Sequence, residues 1–196
     1  MNELRLNNFL GIDFGVSPQS AKKKLLSRTG CIYDQENSTD DVLYFNGLTS
    51  DGLNKALIIL FFENEKFCKS TMQIKPKNNT SVIQDYKKIK RELNSKYFIT
   101  NNCLETYEKP YEENDGYTET GISLGKVIYK SHWSFPRAKG LSEDSVSLKI
   151  SNDFTIIVNY EYRGILDINP RFQDSNAQTA CYFLITFILI LYLFTM

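Results

Sequence analysis

Apolar and polar positions change period along the chain, and each change marks an element. Val82, Tyr86, Ile89, Leu93 and Tyr97 recur at spacings of four, three, four and four. That is the one-sided stripe of an amphipathic helix. Ser81 followed by Gln84 reads as its capping box. Glu92 and Lys96 fall at helix-surface pair spacing, and Lys87, Lys88, Lys90 and Arg91 are expected to face solvent. An earlier helix opens at Ser17-Pro18, with Ser17 as N-cap and Pro18 in the first helical position. Ala21, Leu25 and Leu26 form its stripe, Lys22 to Lys24 a solvated face, and Gly30 its stop.

Elsewhere the pattern favours strands. They are expected at Phe9 to Gly15, Val42 to Phe45, Ala56 to Phe62, Phe67 to Ile74, Ile122 to Phe135, Ser145 to Ile150 and Phe154 to Tyr162. The run ALIILFF, from Ala56, is apolar on both faces, which predicts a central, well-covered strand. Glu63 to Lys66 suits a hairpin loop, and Asn152-Asp153 a tight turn. A long polar loop is expected from Ile99 to Thr120. Helix followed by strands thus occurs twice. The expected fold is α+β: a tandem α-β-β-β repeat whose halves, 1–76 and 77–165, share one antiparallel sheet with both helices on one face.

Beyond a linker at 166–178 the pattern changes again. From Ser175 to Met196 no residue is charged, and ten of the last eighteen are Leu, Ile or Phe. The aliphatic members are Leu184, Ile185, Ile188, Leu189, Ile190, Leu191 and Leu193. Phe183, Phe187 and Phe194 are interspersed, and Tyr182 and Tyr192 lie near the two ends, where interfacial aromatics belong. The ten favour bilayer insertion by about −3 to −6 kcal/mol before flanking costs. As a helix, 179–196 is about 27 Å long, near the lower limit for a hydrocarbon core of about 30 Å. The expectation is a single C-terminal transmembrane helix using membrane lipid as partner. Arg163 and Arg171 precede it but Asp167 and Asp174 interrupt them, so the side is weakly specified, cytoplasmic or cell envelope. The alternatives are a buried terminal element of the core and an accidental extension of the reading frame. MNELRLNNFL has no basic start followed by an apolar run, which argues against a signal peptide.

Composition narrows the chemistry. The chain has 196 residues, and 23 basic residues balance 23 acidic ones. Zero net charge gives no general attraction to nucleic acid. A chain this long buries roughly 70% of its unfolded surface without needing disulfides or metal. Cys31, Cys68, Cys103 and Cys181 form no Cys-x-x-Cys pair, and none is near the single histidine, His132, which argues against zinc. They read as ordinary buried thiols, and a Cys31–Cys103 bridge is an option only in an oxidising compartment. His132 beside Trp133 reads as a structural strand residue. Glu112, Glu113 and Asp115 read as a solvated loop, because their spacing fails the EF-hand pattern. Asn37, Asn78 and Asn79 lie in glycosylation sequons, relevant only to a eukaryotic secretory route. No catalytic set and no cofactor-binding motif is expected.

The order Gly11 to Gly15, Ser17-Pro18, Ala21, Leu25 and then Phe62 to Phe67 resembles uncharacterised secreted α+β proteins of Bacteroides-type bacteria. Gly116-Tyr117, Leu124 to Lys126, Trp133 and Val146 to Tyr160 are similar to the second half of those proteins. In layout the chain also resembles small outer-membrane-assembly lipoproteins and the β-lactamase inhibitor protein. The resemblance implies binding through a sheet surface rather than catalysis. Three functions follow as expectations: a membrane-anchored binding or scaffold module with a protein partner, an inhibitor or immunity-type protein that blocks an enzyme, and, last, a hydrolase using His132 and the acidic loop.

Overall fold

Leu10 and Gly11 both adopt left-handed backbone, at φ 49° and 75°. Two such residues in succession turn a hairpin tightly. The expected strand at Phe9 to Gly15 is therefore two short strands, β1 (Asn8–Phe9) and β2 (Ile12–Asp13), paired back on themselves. The computed structural model describes residues 5–48, 55–137 and 141–166. After β2 come α1 (Pro18–Leu26), β3 (Ile32–Asp34), β4 (Val42–Leu48), β5 (Lys55–Glu63) and β6 (Lys66–Lys75). Then follow α2 (Val82–Lys96), β7 (Cys103–Tyr107), α3 (Thr118–Ser123), β8 (Val127–Phe135), β9 (Asp144–Ile150), β10 (Ile156–Glu161) and α4 (Arg163–Leu166).

Strands β3 to β10 form one antiparallel sheet in the order β3-β4-β5-β6-β10-β9-β8-β7. The protein is α+β. Four strands follow α1 and four follow α2, where three were expected after each. The added members are the sheet's two edges. β3 has only three residues, and β7 has four of its five exposed. An edge strand with one hydrogen-bonded neighbour and no buried face leaves no alternation to read. The expected loop from Ile99 to Thr120 thus contains β7 and the start of α3. Gly121 of α3 lies so close to β8 that a Cβ there would come within 2.4 Å of Val127 Cγ2.

Other boundaries shift for local reasons. Ile122, expected in a strand, is buried in α3. Phe154 has φ 62° and belongs to the turn before β10, not to the strand. The β5–β6 hairpin turns at Asn64 and Glu65, both left-handed, where the polar loop was expected. Ser17 caps α1, accepting from Ser20 N at 3.4 Å, with Pro18 next. The expected capping box at α2 does not form. The Asn78 side chain accepts from Ser81 N at 2.9 Å, and the Ser81 hydroxyl donates to Asp85. A turn of tighter helix at Asn79–Ser81 carries the start of α2 back one turn, which moves the cap with it.

Register divides the sheet cleanly. One face carries Phe45, Ala56, Ile58, Leu60, Ile74 and Val158, and continues through Leu148 and Trp133. These are buried together with Ala21 and Leu25 of α1 and Tyr86 and Leu93 of α2. Both helices therefore lie on this face. Trp133 is fully buried, and its indole N–H donates to Asn94 Oδ1 at 3.1 Å and to the Phe98 carbonyl at 3.0 Å. Complete burial of such side chains stabilises by about 1.5–3 kcal/mol each. α1, α2 and the β1–β2 hairpin leave the opposite face open.

Segment 179–196, expected to span a membrane, lies outside the described residues. Among the described residues no helix is long and apolar enough to cross one.

Candidate functional site: the open sheet face

Pairing sets out the open face as rows of side chains running across the strands. The middle row runs Tyr44, Ile59, Thr71, Asn159, Ser147, His132. Thr71, Asn159 and Ser147 are bonded in sequence. Thr71 Oγ1 donates to Asn159 Oδ1 at 2.8 Å, and Asn159 Nδ2 donates to Ser147 Oγ at 3.3 Å. His132 Nε2 and Ser134 Oγ lie 3.1 Å apart. The row on one side runs Phe61, Lys69, Glu161, Ser145, Ser134. Lys69 Nζ is 3.0 Å from Glu161 Oε1, and Arg163 reaches the other carboxylate oxygen at 2.8 Å. Burial alone would raise the Glu161 carboxyl, but these two cations outweigh it and hold it below its ordinary value.

The row on the other side runs Asn46, Leu57, Gln73, Ile157, Lys149, Lys130, Leu104. Its two lysines stand together, with Ile157 on one side and Leu104 on the other. Burial lowers the Lys149 ammonium below its ordinary pKa, and Lys130 opposite adds to the effect. β5 thus meets the core expectation on one face only. Leu57, Ile59 and Phe61 belong to the open face, where Ile59 is 3% exposed and the other two are half-buried.

His132 and Ser134 are two members of a hydrolytic triad by residue type. The ring's other nitrogen has no partner among the described residues, so nothing there orients the imidazole as a triad requires. Asp115 in the acidic loop is engaged by backbone. Its two carboxylate oxygens accept from Glu112 N at 2.9 Å and Tyr117 N at 2.7 Å. Among the described residues no three His, Cys, Asp or Glu side chains converge as metal ligands.

Comparison with known protein families, curated proteins and solved structures gives no match.

Two cavities lie elsewhere, one beneath the helices and one at the end of the sheet where Ser134 borders it. A groove of about 610 Å³ runs between the end of α1 and α2, floored by Ile58, Met72, Ile74 and Val158. A larger one, about 1010 Å³, lies beside Phe135, Arg137 and Asp144 at the end of the sheet. Asp144 is nearly buried and accepts from Arg163 N at 2.6 Å.

The cysteines divide by environment. Cys68 is buried, its thiol pushed up to about 12 mainly by that burial. Cys31 is half-buried, whereas Cys103 is exposed, against the expectation of buried thiols. Cys103 sits on the outermost strand, so its side chain has sheet on one flank only. It accepts from Ser131 Oγ at 3.5 Å, and Ser131 is 2.7 Å from the Tyr86 hydroxyl. Cys31 precedes β3 and Cys103 begins β7, at opposite edges of eight strands. Seven strand steps, about 34 Å, separate them, far beyond the reach of a disulfide. Cys181 and the membrane-anchor residues lie outside the described residues.

The sequence reading missed Thr71, Ser147, Asn159, Lys130 and Lys149. Their alternation with apolar neighbours marks them as outward-facing, but only the register makes them one surface.

Proposed function

We propose that this chain is a non-enzymatic binding module, held at a membrane by residues 179–196, that offers its open sheet face to a protein partner. One observation carries the binding: a hydrogen-bonded polar ladder with half-buried Leu57, Phe61 and Tyr44 beside it, on a face that both long helices leave open. Surfaces that mix an apolar strip with fixed polar groups suit protein recognition. The charge-free sequence of 179–196 supports the anchor.

We also read the chain as a duplication. The strand order is a mirror about the β6–β10 pair, with the last strand of each meander at the centre and the first at the rim. Two copies of one helix-plus-meander unit, joined antiparallel, would give that order.

The test has two parts. Deleting 179–196 is expected to move the protein from the membrane fraction to the supernatant. Full-length protein already in the supernatant as monomer overturns the anchor. A photo-crosslinker replacing Gln73 on the open face is expected to trap a protein, whereas one at Glu92, on α2, traps none. Equal trapping at both overturns the face.

The open face also favours a second reading, an inhibitor or immunity-type protein that blocks a specific enzyme, since a broad ladder of fixed donors and acceptors can cover an active-site rim. Recovery of one enzyme in stoichiometric complex, with its activity lost, distinguishes this reading from a scaffold.

A further inference from the structure

Lys130 and Lys149 face each other across β8 and β9 on the open side of the sheet. Like charges directly opposite in a ladder destabilise it. Neither lysine has an ion-pair partner among the described residues, although Lys69, Lys75, Lys90 and Lys126 each do. Glu161, the carboxylate on the same face two rows away, is already occupied by Lys69 and Arg163. The pair is therefore a local cost with no compensating carboxylate among the described residues. Lys149 is half-buried beside Ile157, so its charge is also incompletely solvated.

We propose that Lys130 and Lys149 receive carboxylates of a protein partner whose apolar side chains settle on Ile157 and Leu57 of the same row. This deepens, and rests on, the open-face reading above. The row itself sets the spacing. Strands lie about 4.8 Å apart, so Lys149 and Leu57, three strands apart, are separated by about 14 Å. An extended segment covers that distance in about four residues, which places an acidic and an apolar residue four apart in the partner. The Ser147 hydroxyl and the His132 ring, in the adjoining row, add polar contacts near the cationic end. A polypeptide fits better than a nucleic acid. Phosphate backbones are held by longer runs of cations, and here two lysines are flanked by Ile157 and Leu104 in a chain of zero net charge.

The experiment uses the full chain in detergent micelles and three fluorescent probe sets at low salt. The first holds decapeptides combining Leu or Phe with Glu or Asp four residues apart. The second replaces the acids with Lys or Arg, and the third is a single-stranded oligonucleotide. The acidic set is expected to bind, and Lys149→Glu to weaken it about tenfold or more. The same substitution makes the cross-strand pair attractive, so the melting temperature is expected to rise while binding falls. The double variant Lys130→Gln, Lys149→Gln should lose the same affinity with its fold retained. Failure of the acidic set to bind, preference for the basic set or the oligonucleotide, or indifference to Lys149→Glu each overturns the proposal. A crosslinker at Gln73 separates the two claims. Peptides bound but not trapped there sink the open-face reading as well, whereas peptides trapped there regardless of their charge sink only the carboxylate claim.

Discussion

Trp133 shows how one residue can bind two elements. Its ring fills the core beneath α2, and its N–H serves both Asn94 and the carbonyl of Phe98. Trp133→Phe keeps most of the apolar surface but removes a donor from both acceptors, leaving Asn94 Oδ1 only Thr100 N. It is expected to cost about 1–3 kcal/mol in urea denaturation, more than the lost area alone implies. Glu161 gives a residue-scale dependence on pH. Its carboxyl is depressed in the folded state, with burial opposing and Lys69 and Arg163 outweighing it. Its contribution is complete above the ordinary glutamate pKa, about 4.3, and is lost as pH falls through the lower folded value. Between about pH 5 and pH 3 the wild type should therefore lose more stability than Glu161→Gln, measured as the shift in urea midpoint. Individual residues were legible where local chemistry decides them, as with Ser17, Pro18 and the stripe of α2. They were not legible where a partner far along the chain decides them. Nothing near Asn159 announces that it bridges Thr71, on a strand from the other half, and Ser147.

At the scale of elements, the two long helices and the inner strands could be read because their periods are set by one buried face. The edges could not, since β3 is short and β7 is exposed along most of its length. Helix starts show the same limit. The Ser81-x-x-Gln84 pattern is correct as sequence, yet the tight turn at Asn79–Ser81 hands the cap to Asn78. Asn78→Ala is accordingly expected to destabilise by about 1 kcal/mol. Ser81→Ala, which loses a bond to Asp85 near the helix start, should cost less. Thermal melts of the two variants side by side decide the matter. An equal or reversed effect would mean that the serine is the cap after all.

For the whole molecule, the eight-strand order makes the β6–β10 pair the seam between two meanders. Six residue pairs join them, from Ile156 with Ile74 to Glu161 with Lys69. Val158, 1% exposed at the middle of the seam, belongs to the core of both sides. Val158→Ala should cost about 2 kcal/mol. Its transition should remain single, with Trp133 fluorescence, which reports the second meander, and far-ultraviolet circular dichroism coincident. Separate transitions would mean that the halves are independently stable. The sequence implied a continuous sheet with helices on one side, and the structure has that arrangement. The surface that the helices leave open, and the opposed lysines on it, appear only once strands distant in sequence are placed side by side.

The position of β10, fifth of eight, has a mechanical consequence. The chain leaves the sheet near its midline, from a strand bonded along both sides. A load hung from residue 166 and directed along that strand must shear two ladders at once. The same load on a rim strand would shear only one. Strand β10 therefore resists a pull along its own direction with two ladders where a rim strand has one.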